Sequence, residues 1–167
     1  MVSKQTEFLQ LIEQHQGILY KVSRMYMDFD QDQEDLRQEI IYQLWKSYEK
    51  FKGDSQFSSW MYRVAINTAI TYFKKDKKRV DKDQLSDRMD IKADEEDFEE
   101  ESKLAHFYKA VKTLNKVEKA LILLFIEGQS HREIAANLGL TEVNTRVKLN
   151  RTKNKLKTLI KNQGYEF

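Results

Sequence analysis

Apolar residues recur every three or four positions through most of this chain, the spacing of helices that bury one face. Phe8, Leu11, Ile12, His15, Ile18, Leu19, Val22, Met25 and Tyr26 keep that period without a gap and predict one helix from about Lys4 to Met27. The polar run 28–32 ends it, and Asp32 offers a cap for a second helix reaching about Lys50. There Leu36, Ile40, Ile41, Leu44, Trp45 and Tyr48 form the stripe expected to be buried. A separate stripe, Asp35, Gln38, Glu39 and Tyr42, runs at i, i+3, i+4 and i+7 on another face. The turn around Gly53 leads into a third helix through Phe57, Trp60, Met61, Val64, Ala65, Ile66, Ala69, Ile70 and Phe73. Three helices of this length can close around one small core, so residues 1–80 are expected to form a helical domain.

The period weakens over 81–103, where seven of the eight residues from Asp94 to Glu101 are acidic. Like-charge repulsion and scarce apolar surface predict an acidic, extended linker there, with local helix admissible where acids suit a helix N-terminus. From Leu104 the pattern resumes in Phe107, Tyr108, Val111 and Leu114. Asn115 and Glu118 then make an N-x-x-E start for a helix to Glu127 that is apolar nearly all round and is expected to be the buried centre of a module at 104–163. The strongest local signal follows. Gly128 can close the preceding helix, and Ser130 with Glu133 makes a capping box for a short helix that Gly139 ends. Thr141 caps a longer helix whose buried stripe is Thr145, Leu149, Thr152, Leu156 and Leu159. Around it fall Arg146, Lys148, Arg151, Lys153, Lys155, Lys157 and Lys161, with no acid from Val143 to Gly164. A short helix, a tight turn and a basic second helix read as a helix-turn-helix, because a major groove admits one helix and its phosphates reward fixed cations.

Charge sharpens this division. The chain of 167 residues has a formal net charge of only +2, yet residues 81–103 hold 11 acids against 4 bases, leaving 25 bases against 16 acids elsewhere. With no proline and five glycines, long helices are the default, and the fold class is all-α. The absence of cysteine excludes disulfides and thiolate metal sites and fits a reducing cytoplasm. His15, His106 and His131 lack metal-ligand spacing, and the acids 94–101 lack the turn glycine of a calcium loop. No nucleophile stands with a base, so neither cofactor nor catalysis is expected. No apolar run has membrane-spanning length, so no membrane insertion is expected.

A second constellation lies at the third helix and its entry. Phe51, Phe57, Trp60, Tyr62, Tyr72 and Phe73 stand near Lys50, Lys52 and Arg63, and the helix finishes Lys74-Lys75-Asp76-Lys77-Lys78-Arg79. Aromatic faces beside cations suit unpaired bases, whose stacking is worth about 1–3 kcal/mol each. That is comparable to the few kcal/mol needed to unstack a base. Singly, Trp60 and Phe73 at helical spacing read as core; together with a separate helix-turn-helix the combination points to DNA.

These residues resemble a known family. EDLRQEIIYQLW (34–45), FKGDSQFSSWMYRVAINTA (51–69) and the helix-turn-helix EGQSHREIAANLG with VKLNRTKNKL are similar to bacterial sigma factors of the sigma-70 family. The two-domain layout resembles the extracytoplasmic-function (ECF) group. The resemblance covers about residues 8–80 as region 2 and 104–161 as region 4. It implies two small helical domains, no enzymatic activity, and binding to core RNA polymerase through the clamp helices of its largest subunit and the flap of its second. Asp35, Gln38, Glu39 and Tyr42 match the clamp-binding segment. Phe51, Lys52, Phe57, Trp60, Arg63 and Asn67 match the part that captures flipped bases of the minus-ten element, and Lys74, Lys75, Lys78 and Arg79 the part that contacts its backbone. Arg132, Glu142, Asn144, Thr145, Arg146, Lys148 and Arg151 match the reader of the minus-thirty-five element. The acidic linker matches a segment that threads polymerase channels meant for RNA. An anti-sigma factor is a further partner the resemblance admits.

The chain departs from the family in places. Val143-Asn144-Thr145 replaces a common glycine-threonine-valine run, and Asn115 replaces a usual proline at the start of its helix. These leave the promoter sequence open. Two other readings use the same residues: a stand-alone helix-turn-helix regulator with a dimerising or sensing N-terminal domain, and a helical scaffold that binds polymerase without DNA.

Overall fold

The computed structural model describes residues 2–53, 55–80 and 99–164, with residues 73–80 and 99–101 given as helical backbone without side chains. Every regular element among the described residues is helical. The N-terminal unit holds α1 (Lys4–Gln14), α2 (Gln16–Tyr26), α3 (Asp30–Ser47) and α4 (Phe57–Val80), with a 3₁₀ turn at Tyr48–Lys50. The C-terminal unit holds α5 (Glu99–Val111), α6 (Lys116–Ile126), α7 (His131–Leu138) and α8 (Glu142–Asn162).

The expected first helix is two. His15 leaves helical geometry at φ −116° and ψ 23°, and its ring Nδ1 lies 2.9 Å from the Leu11 carbonyl oxygen. Gly17, next but one, has little tendency to carry a helix through such a joint. The apolar spacing runs across this joint unbroken, so it carries no sign of the break. The N-terminal unit is therefore four helical segments, where three were expected. In α3, Leu36, Ile40 and Leu44 are fully buried as expected, but Trp45 is 42% exposed and packs its ring against Phe8, centroids 5.0 Å apart. Val22, Met61, Ala65, Ile66 and Ala69 complete this core from α2 and α4.

The C-terminal unit follows its caps closely. The Asn115 Oδ1 accepts from the Glu118 amide at 2.9 Å, and both halves of the Ser130–Glu133 capping box are formed. Gly139 takes a left-handed φ of 68°, which ends α7 at little cost for a residue without Cβ. Leu121, Ile122, Leu124, Ile134 and Leu149 are buried, each worth roughly 1.5–3 kcal/mol relative to exposure. The apolar run of α6 is not buried throughout: Phe125 and Ile126 at its end are 42% and 55% exposed. Helix α5 begins at Glu99, ahead of the expected Leu104, with acids at the positive end of its dipole. The acidic segment 81–98 lies outside the described residues.

The two units dock directly. The Tyr26 hydroxyl donates to the Lys116 carbonyl at 2.8 Å, and Lys21 reaches the Glu127 carboxylate at 2.7 Å. Glu127, the residue that closes α6, also bears on the Tyr62 phenol of α4 and helps hold it protonated. Arg24 stacks on the Tyr108 ring at 4.0 Å, and Lys119, 7% exposed, lies 5.4 Å from the Tyr26 ring centroid. Burial pushes the Lys119 ammonium below its usual pKa and the Tyr26 and Tyr62 phenols above theirs. Beside these contacts lies a cleft of about 420 Å³ lined by His15, Gln56 and Tyr62 from one unit and Gly128, Gln129 and Glu133 from the other.

Candidate nucleic-acid interface

Three surfaces carry the residues singled out by sequence. The first is the outer edge of α3. Gln38 and Tyr42 are exposed and Asp35 and Glu39 half-exposed, so the polar stripe does face outward. Its acids are held by amides one turn away: Gln31 donates to Asp35 at 3.3 Å and Gln43 to Glu39 at 3.0 Å. Such neutral partners orient a carboxylate and leave its charge available to a basic partner.

The second surface is the corner where the 3₁₀ turn meets α4. Phe51, Phe57 and Trp60 form a closed triangle, with centroid distances of 5.7, 5.1 and 5.5 Å. Phe57 is the buried foundation, while Phe51 and Trp60 are half-buried, so both rest on it and keep part of their surface exposed. A stacking platform needs that arrangement, since a free aromatic side chain would lose entropy on binding. Lys52 and Arg63 stand exposed beside it. Asn67 projects from the next turns of α4 into a groove of about 340 Å³ shared with Glu39, Gln43, Ser47, Thr68 and Thr71. The family resemblance assigns Glu39 and Asn67 to different partners; the fold sets them along one groove between α3 and α4. Lys74, Lys75, Lys78 and Arg79 are on the helical continuation of α4, and their side chains lie outside those described.

The third surface is α8, entered through the capping box and Gly139. The Thr141 hydroxyl accepts from the Asn144 amide at 3.1 Å, fixing the first turn. Arg132, Glu142, Asn144, Arg146, Lys148 and Arg151 are all exposed, and Arg146 lies 3.8 Å from Glu142 one turn back. Thr145 is the exception among the expected readers. It is fully buried, and its hydroxyl donates to the Thr141 carbonyl at 2.8 Å, so it packs the helix against the unit and does not face a groove. Thr152 behaves likewise toward Lys148. Lys153 and Lys155 are drawn to α6, one over the Phe125 ring at 4.5 Å and the other 3.1 Å from Glu118. Two apolar residues, Val143 and Val147, also stand out from this helix, 70% and 43% exposed, and its cations give no hint of them. Their signal was positional: each is two residues from a buried member of the stripe, hence on the far side of the helix.

Comparison with known proteins bears on the whole arrangement. The family model described as Sigma-70 region 2 matches residues 11–79, and that described as Sigma-70, region 4 matches residues 105–156. The chain belongs to the sigma-70 family, in its ECF group. It is 24% identical to the RNA polymerase sigma factor NccH of Alcaligenes xylosoxydans xylosoxydans over 93% of this chain and 88% of that one. It is 30% identical to the RNA polymerase sigma-H factor of Pseudomonas aeruginosa over 62% of this chain and 48% of the relative. The 48% identity to the ECF RNA polymerase sigma factor SigG of Mycobacterium tuberculosis spans 24% of this chain and 11% of that relative's length. Two solved structures share the fold. One is the sigma factor RpoE in complex with the anti-sigma factor NepR from Bartonella quintana, at TM-score 0.68 and 21% identity over 94% of this chain and 96% of that one. The other is CnrH in complex with the cytosolic domain of CnrY, at TM-score 0.67 and 22% identity over 95% and 90%. In this sigma-70 family member the aromatic corner and Asn67 fall within the region 2 match, and α7–α8 as far as Leu156 within the region 4 match. No helix among the described residues is long and apolar enough to cross a membrane.

Proposed function

We propose that this chain is an ECF-type sigma factor that binds core RNA polymerase, brings it to specific promoters and helps melt them, with no chemistry of its own. The observation that carries the reading is the pairing of two unlike surfaces in one chain: a fixed aromatic corner beside cations and a separate exposed basic helix. The first suits unpaired bases and the second a duplex. Asp35, Gln38, Glu39 and Tyr42 take the clamp helices of the largest subunit, and the flap of the second subunit is a further contact. Phe51, Lys52, Phe57, Trp60, Arg63 and Asn67 capture minus-ten bases. Asn67 brings an amide with both donors and an acceptor for a base edge, and Lys74, Lys75, Lys78 and Arg79 hold the adjoining backbone. Arg132, Glu142, Asn144, Arg146, Lys148 and Arg151 engage the minus-thirty-five element. The protein works in the cytoplasm, and an anti-sigma protein is a fitting partner, since both solved neighbours were captured in complexes, one of them with a named anti-sigma factor.

Run-off transcription from genomic fragments with the matching core polymerase tests this. New starts should appear only with the protein and vanish when Asp35 and Glu39 are replaced by alanine. Absence of new starts, with tight binding to a symmetric duplex by the protein alone, would establish the stand-alone regulator instead.

A further inference from the structure

Helix α8 turns one face to the core, with Thr145, Leu149, Thr152 and Leu156 buried. At about 100° per residue, the line diametrically opposite runs through Val143, Val147, Asn150 and Asn154, all exposed. Between Val143 and Asn154 no charge falls on that line; Lys161 joins it only in the last turn. The cations flank it, Arg146 along one edge and Lys148 and Arg151 along the other. Val147 and Asn150 also share a shallow depression with His131 and Arg146, where the start of α7 meets α8.

We propose that Val143 and Val147 read thymine methyl groups in the minus-thirty-five element and that Asn150 reads an adjacent adenine. The inference rests on the sigma-factor reading and says which bases its recognition helix takes. A helix laid in the major groove turns its outermost line to base edges and its flanks to the two phosphate walls. The flanking cations of α8 therefore fall to the phosphates, which carry no sequence. The line itself presents isopropyl groups and amides. The apolar group of a major groove is the thymine C5 methyl, and the pattern that suits an Asn side chain twice over is adenine N6 and N7. Val143, 70% exposed in the first turn of its helix, gains burial only if such a methyl meets it.

The test uses duplexes in which deoxyuridine replaces thymine throughout the minus-thirty-five element, removing the methyl and nothing else. Binding by holoenzyme made with wild-type protein should fall roughly fourfold per contacted thymine, the usual worth of one buried methyl group. The Val143→Ala/Val147→Ala protein should bind the thymine duplex more weakly and lose most of its sensitivity to deoxyuridine. Its salt dependence should be unchanged, because every cation facing the phosphates is kept. Asn150→Ala should relax the preference at one adenine. Indifference of the wild-type holoenzyme to deoxyuridine overturns the proposal. So does a valine-to-alanine variant that stays as sensitive as wild type. If the protein directs no transcription with core polymerase, the sigma reading fails separately. The same comparison on duplexes selected by the protein alone then supports the stripe if deoxyuridine weakens binding, and overturns it if not.

Discussion

The aromatic corner of α4 and the basic face of α8 are built on opposite physical terms. At the corner the contact groups are part of the core: Phe57 is buried, and Phe51 and Trp60 lean on it. On α8 the cations are clear of the core, and the fold supplies only a straight helix with fixed ends. Unpaired bases are flexible and need a rigid surface, whereas a duplex is already rigid and asks only for charge at set positions. Changes in the corner should therefore be hard to separate from stability, while changes on α8 should alter binding alone.

The largest effect should come from removing the flanking charge of α8. Replacing Arg146, Lys148 and Arg151 together by alanine should weaken promoter binding by about 3 kcal/mol and lower the salt slope by roughly one for each phosphate no longer neutralised. Melting temperature and core-polymerase affinity should stay near wild type. A preserved salt slope would break the comparison from this side. Next, Trp60→Ala should cost about 1–3 kcal/mol in open-complex stability with little salt dependence. It should also lower the melting temperature, since the ring supports Phe51 and Phe57. Weaker binding at an unchanged melting temperature would show that the corner is less embedded than its packing indicates. Asn67→Ala should act between these limits. It should reduce open-complex formation by about 1–3 kcal/mol, the worth of a paired base contact, and leave polymerase binding intact. Equal loss of both would reassign the groove it shares with Glu39. The smallest effect should be Ser130→Ala, which removes half of the capping box and should cost about 1 kcal/mol of stability in thermal unfolding.

The same contrast explains which features could be read from sequence. Caps and stripes are local, so Asn115, Ser130, Gly139 and Thr141 announced the C-terminal helices almost to the residue. The cations of α8 were equally legible, because an exposed charge needs no tertiary context. Periodicity could not separate a continuous helix from two joined at His15, since the apolar spacing runs through the joint unbroken. Nor could it show that Trp45 would meet Phe8 at the surface, or that Thr145 would be spent on its own helix. Most of all it missed the docking of the two units, whose polar contacts join residues 90 and 106 positions apart. Those contacts depend on three-dimensional closure, which no window of neighbouring residues contains.

That docking bears on geometry at the scale of a promoter. Elements named for positions thirty-five and ten are twenty-five base pairs apart, roughly 85 Å along a duplex at about 3.4 Å per pair. Here the loop before α4 and the turn before α7 line a single cleft. With these two ends at one cleft, the molecule resembles a folded caliper. On the proposed reading, spanning both promoter elements would require Tyr26 to release Lys116 and Lys21 to release Glu127. A polymerase that grips the two units at separate places would then act as the frame that sets the caliper's opening.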